Sequence, residues 1–196
     1  MEAGVSSLHP AAPTLMSVDL DRYREPSREP SVLAARRAAL VEQMRWLGAE
    51  AEALGPLLST LPAWALDQTP VPEERSVKET LAALAELDRQ TYPAWLDQVE
   101  AGGEPPVLTT PDLSGLAEGA NGRELDDLLG AVREHRQPLA DRVEAVPAET
   151  WDRPLVLDGE ETDLYGLILT LVRRDADELK TLAYRLHGAD LTQRQR

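Results

Sequence analysis

Residues 162–188, TDLYGLILTLVRRDADELKTLAYRLHG, carry the pattern that most restricts this chain. Leu164, Ile168, Leu171, Val172, Leu179, Leu182 and Leu186 recur at helical spacing, so the segment reads as one long helix with a broad apolar stripe. The stripe is interrupted at one turn. Leu167, Leu171, Arg174, Glu178 and Leu182 fall along a single line of the helix surface, which sets a cation and a carboxylate one turn apart where packing residues are expected. Charges so placed mark either the edge of the stripe or a site.

Three further stretches repeat the pattern. Leu33, Leu40, Val41, Met44, Leu47, Ala51 and Leu54 make a helical stripe that ends at Gly55-Pro56, a pair that punctuates helices. Trp46 lies off that stripe, either as part of a partner surface or covered by the N-terminal arm. Residues 57–74 contain Pro62, Pro70 and Pro72, which leave room for one short helical turn at 63–67, with Trp64 and Leu66 pinned against the other helices. The second long helix opens at Ser76 with Glu79 three residues on, a reciprocal capping box. It continues through Val77, Leu81, Leu84, Leu87, Thr91, Trp95 and Val99, and Pro93 is expected to kink it or end its regular part. Residues 100–121, rich in Gly, Pro and Thr, read as a long loop.

The third helix starts within 121–124 and carries Leu125, Leu128, Leu129, Val132, Leu139, Val143 and Val146, with Pro138 inside it. A short extended piece at 155–157, turned by Asp158-Gly159, precedes the last helix, and Gly188 is its expected C-cap. Four amphipathic helices without comparable strands predict an all-α fold, a four-helix bundle. A second helix of about two dozen residues is roughly 35 Å long, and a loop of about 22 residues reaches up to roughly 70 Å. The loop is long enough to start the third helix parallel to the second, which makes an up-down-down-up bundle accessible; a simple up-down bundle with a slack loop fits the same sequence. The expected layout is a flexible arm at 1–30, the bundle at 31–188 and a tail at 189–196.

Composition narrows the function. The 196 residues carry a net charge of −15, and so acidic a surface repels phosphate backbones and anionic lipid, disfavouring nucleic acid and membrane as partners. Aromatic residues are only 4% and Phe is absent, so Leu, Ala and Val must build the core. There is no cysteine, which removes disulfides, thiolate nucleophiles and thiolate metal sites together. The first residues, MEAGVSSLHPAAPTLM, lack the basic flank and apolar run of a signal peptide, and Met16 is an alternative start. No stretch has membrane-spanning length without a charge, and the expected location is the cytoplasm.

Two runs resemble a known family. RSVKETLAALAELDR at 75–89 is similar to the second-helix motif of DinB/YfiT-like proteins, in which a Trp-Ser pair opens a helix that presents a His. RRDADELKTL at 173–182 is similar to their last helix, which presents two His four residues apart. The resemblance covers roughly 32–187 and implies an up-down-down-up four-helix bundle, usually dimeric, with three ligands, commonly His, holding a divalent metal. Some members are metal-dependent transferases acting with low-molecular-weight thiols. Here the ligand positions hold Ala83, Arg174 and Glu178, and Arg75 stands where the Trp precedes Ser76. Zinc or nickel needs about three donors converging at roughly 2 Å, so the metal site is expected to be absent and no cofactor is expected. Arg174 and Glu178 either pair with each other in the vacated place or lie at a bundle edge in contact with water.

Other residues offer rival chemistry. Glu79, Asp88, Asp175 and Glu178 could converge on a harder ion, although Glu79 has its capping role and Asp88 and Asp175 read as solvent-face residues. His135, beside the third stripe, is either a half-buried packing histidine or a functional group. His9 falls in the arm, and His187 suits a helix C-terminus. No nucleophile elbow, phosphate-binding loop or dinucleotide fingerprint is present. The favoured reading is a binding or interaction protein on this bundle, with a small molecule or a second copy, through faces including Trp46 or Trp95, as partner. The alternative is a metal-dependent thiol transferase or hydrolase with substitute ligands.

Overall fold

A computed structural model describes residues 29–69 and 74–194, with side chains of the last helix described as far as 184. The expected arm, with His9 and Met16, lies outside these residues apart from its last two, and so do the side chains of Leu186 and His187.

The first rod, α1 (Pro30–Ala53), opens on a proline at a position whose N–H needs no intrahelical partner, and it turns Leu40, Val41, Met44, Leu47, Gly48 and Ala51 inward. Gly55-Pro56 does break this rod, but opens a short helix, α2 (Gly55–Leu58), before α3 (Ala63–Asp67) forms where expected. Only Leu66 is pinned there. Trp64 is 51% exposed, contrary to expectation.

The second rod consists of α4 (Val77–Glu86), a π-helical turn (Leu87–Thr91) and α5 (Tyr92–Ala101). Ser76 and Glu79 form the full capping box at its start. The regular α-helical part ends one turn before Pro93, at Glu86, and not at the proline itself. The turn before it widens instead, with the Tyr92 N–H donating to the Leu87 carbonyl five residues back, and this relieves the clash a proline makes with the preceding helical turn.

The long connection is more ordered than a loop. It contains β1 (Val107–Leu108), α6 (Leu113–Leu116) and a 3₁₀ turn (Ala120–Gly122). β1 pairs in parallel with β2 (Pro154–Leu157), and β2 pairs antiparallel with β3 (Glu160–Asp163), so a small three-stranded sheet in the order β1-β2-β3 stands beside the helices. Asp158 and Gly159 turn the β2–β3 hairpin with φ of 52° and 87°. The Asp158 carboxylate accepts from the Thr110 amide and hydroxyl, both at 2.7 Å, and so anchors the connection to the hairpin.

The third rod is α7 (Leu125–Glu144), with Pro138 accommodated on its exposed face. The fourth, α8 (Leu164–Arg194), runs through Gly188, which therefore does not terminate it. α1 packs on α7 and α8, and α4 packs on the same two. Arg45 meets Asp141 and Glu144 at 2.8 and 2.6 Å while Arg133 meets Glu52 at 2.9 Å, a register that is antiparallel for α1 and α7. Arg142 reaches Asp97 and Glu100, both at 2.6 Å, and Arg136 reaches Asp88, a register that is parallel for the second rod and α7. Leu, Val and Ala fill most of the core, with Tyr92, Trp95 and Trp151 as its buried aromatics among the described residues.

Candidate functional site

Ala83, Arg174 and Glu178, the positions at which the resemblance leads us to expect the family's metal ligands, lie on α4 and α8. Ala83 is buried, at 2% exposure, and offers only a methyl group. Arg174 and Glu178 are half-buried on α8 and do not pair with each other as one of the two expectations had it. The Arg174 guanidinium lies over the Tyr92 ring, 5.4 Å from its centroid, and its Nη2 donates to the Tyr92 hydroxyl. Its Nε is buried without an acceptor. Glu178 instead accepts from Arg75, at the start of the second rod. Each side chain thus reaches across to another rod, and burial pushes the Arg174 pKa below the ordinary arginine value.

Deeper in the bundle is a cluster that the sequence reading missed. Asp88, Arg136 and Asp175, from the second, third and fourth rods, are all buried, their side chains 0%, 4% and 2% exposed. Arg136 binds Asp88 with two hydrogen bonds, Nε to Oδ2 at 2.7 Å and Nη2 to Oδ1 at 3.0 Å. Its Nη1 donates to Asp175 Oδ2 at 2.5 Å. The expectation that Asp88 and Asp175 are solvent-face residues is therefore wrong. Its cause is visible in the spacing: Asp88 follows Leu84 by four, Arg136 follows Val132 by four, and Asp175 stands midway between Leu171 and Leu179. All three occupy core-facing positions, and the signal was a charge on the stripe in each of three helices.

Local features make room for the guanidinium. Gly48 of α1 faces it, and a Cβ there would stand 3.1 Å from Arg136 Cγ. A larger side chain would crowd the arginine stem. The π-helical turn contributes Asp88 itself. Burial pushes the Asp88 carboxyl up to about 6, because desolvation and the neighbouring Asp175 outweigh the pull of Arg136. Burial raises Asp175 as well. Arg136 is buried too, yet Asp175 and Asp88 hold it above the ordinary arginine value.

The remaining candidates are accounted for structurally. Glu79 closes the capping box, its Oε2 accepting from the Ser76 amide at 2.7 Å, while its Oε1 accepts from Asn121 Nδ2 at 2.9 Å. Ser76 Oγ donates to Asn121 Oδ1 at 2.6 Å, so the cap also fastens the long connection where it approaches α7. His135 is half-buried beside the stripe of α7. Glu79, Asp88, Asp175 and Glu178 do not converge: the first caps a helix, the second and third face Arg136, and the fourth faces Arg75. Among the described residues no three His, Cys, Asp or Glu side chains come together as a metal-ion cluster. No described helix is long and apolar enough to cross a membrane.

Comparison with known proteins bears on the fold. No protein-family model matches the chain, and no curated protein sequence matches it. Among solved structures, YfiT from Bacillus subtilis, described as a probable metal-dependent hydrolase with an unusual four-helix bundle topology, is similar in fold. Its TM-score is 0.66 at 11% sequence identity, over 84% of this chain and 91% of YfiT. The chain thus shares the four-helix-bundle fold of YfiT.

Proposed function

We propose that this chain is an up-down-down-up DinB-like bundle that has lost the family metal site and serves as a non-catalytic binding or interaction protein of the cytoplasm. One observation carries the reading: at the positions that the resemblance assigns to the metal ligands, Ala83, Arg174 and Glu178, the two polar side chains are engaged by Tyr92 and Arg75. A methyl group donates nothing, a guanidinium repels a divalent cation, and a carboxylate already paired with an arginine is a poor remaining ligand. These residues do not fit the metal. The parallel register of the second and third rods and the antiparallel register of α1 and α7 support the topology.

A small molecule or a second copy is the partner class. Trp46, 60% exposed on α1, supports a surface contact, whereas Trp95 is buried at 7% and is committed to the core. Metal analysis of protein purified without added ions tests the proposal, together with thermal-shift screening against apolar ligands and thiols. Substoichiometric metal with a ligand-dependent rise in Tm is the expected result. A second reading, a metal-dependent hydrolase using substitute ligands, is favoured by the likeness to YfiT. About one equivalent of zinc or nickel, with an activity lost on chelation, would establish that reading instead.

A further inference from the structure

The small sheet has one covered face and one open face. Leu108, Leu155 and Leu157 pack on the core. Side chains alternate along a strand, so Val107, Val156 and Glu161, which lie opposite one another across β1, β2 and β3, stand on the open face. Pro154 and Asp163 form the next row. Val107 is 72% exposed there. This face carries a cavity of about 440 Å³, with Pro154 and Val156 in its wall and Asp152, Glu161 and Asp163 around it.

β3 is also an edge of the sheet. The Val156 amide donates to the Pro106 carbonyl at 2.9 Å, so Val156 turns its backbone groups toward β1, while Leu155 and Leu157 turn theirs toward β3. Val156 and Glu161 are therefore a non-hydrogen-bonded pair of the antiparallel ladder. The Glu161 amide and carbonyl point away from β2, to the free edge, and its side chain is exposed. The charge of this edge is one-sided. The three strands contain no Lys or Arg, while β3 brings Glu160, Glu161 and Asp163. Arg153, just before β2, is engaged by the carbonyls of Val99 and Glu100 at 3.0 and 2.9 Å. Asp152 pairs with Arg37 at 3.2 Å, but Glu160 and Glu161 have no ion-pair partner among the described residues. On the rods, by contrast, Asp97, Glu100, Asp141 and Glu144 are all answered by arginines.

We propose that the free edge of β3 and the cavity beside it form a docking surface for an extended segment of another protein that carries lysine or arginine. The segment adds as a further strand about 4.8 Å beyond β3 and bonds the Glu161 amide and carbonyl. Its alternate side chains then stand on the open face. Their aliphatic stems lie along Pro154 and Val156 while their cationic heads reach Glu161, Asp163 and Asp152. Charge selects the occupant. A second copy would set its own β3 carboxylates against these, and like charges facing across a ladder are destabilising, so the edge rejects its own kind and admits a basic strand. The surface is separate from Ala83, Arg174 and Glu178 on α4 and α8, and the proposal does not depend on the function read from those positions.

Fluorescence anisotropy of the full chain with a labelled hexapeptide of alternating lysine and threonine tests the proposal, with amide chemical shifts to locate the peptide. The expected result is saturable binding with shifts concentrated at 154–163. Reversing the edge charge in Glu160→Lys, Glu161→Lys should lower the affinity at least about tenfold, because like charges then face one another. Glu161→Gln should lower it less. Both positions are exposed, so neither change disturbs the core. The same peptide N-methylated throughout cannot pair as a strand and should also bind at least about tenfold more weakly. No binding, shifts centred elsewhere, or an affinity unchanged in the charge-reversed protein would overturn the proposal. Equal binding of the N-methylated peptide or of spermidine would overturn it too, by showing that the face takes any cation. Concentration-dependent shifts at 154–163 in the protein alone would do the same, by showing that a second copy covers the edge.

Discussion

Arg136 holds Asp88 in a two-pronged pair, Nε on one oxygen at 2.7 Å and Nη2 on the other at 3.0 Å, with both side chains sealed from solvent. Removing one member of such a pair leaves an uncompensated charge in the core and costs about 3–5 kcal/mol, whereas replacing every charged member with apolar residues is often neutral or stabilising. Arg136→Met should therefore lower urea stability by about that amount. The triple variant Asp88→Leu, Arg136→Met, Asp175→Leu should recover most of it. A single variant as stable as the unmodified protein would mean that the pair carries no such weight.

The raised Asp88 carboxyl sets a pH dependence of stability. Its folded pKa, about 6, lies above its ordinary value of 3.8, so between these values the folded chain binds more protons than the unfolded one. Stability then falls as pH rises through that interval and levels off above it. Asp175, raised in the same direction, adds to the fall. Denaturation midpoints measured from pH 4 to pH 7 should show a decline that is smaller in Asp88→Asn. A profile identical in the two proteins would contradict the assignment.

The cap at Ser76 joins two parts of the chain. Ser76→Ala removes both the acceptor for the Glu79 amide and the donor to Asn121, and a lost cap of this kind costs about 1 kcal/mol, in the range 0.5–2. Asn121→Ala keeps the box but frees the connection from it. Both variants should lower Tm by a few degrees, and faster amide exchange at 120–124 in Asn121→Ala would show that the connection has loosened.

The family correspondence is testable by restoring its chemistry. Ala83→His, Arg174→His and Glu178→His together should create a site that takes up about one zinc or nickel ion, with a metal-dependent rise in Tm. The unmodified chain should show no such rise. Failure of the folded triple variant to bind metal would mean that these positions are not the ones at which the family holds its ion.

The four rods were readable because each carries an apolar stripe of period 3.6, and the capping box at Ser76 and the Asp158-Gly159 turn were readable because both are local chemistry. Trp64 and Gly188 were misjudged, and the effect of Pro93 was placed a turn too late, for the opposite reason. Whether a tryptophan finds a neighbour, a proline is absorbed by a widened turn, or a glycine remains inside a helix depends on what packs around it. The extended piece at 155–157 was readable, but its place in a sheet was not, because β1 is two residues long and exists only through its pairing with β2.

For the site, the sequence by itself determined that Ala83, Arg174 and Glu178 are a poor set of metal ligands, since the chemistry of a side chain needs no neighbour to be known. Only the tertiary structure decided where the charges go. Arg174 turned to Tyr92 and Glu178 to Arg75, while Asp88, Arg136 and Asp175 met in the core. The physical reason is that an ion pair is a property of two or three separate segments. Helical spacing places a charge on the stripe, but its partner is found only when the rods come together.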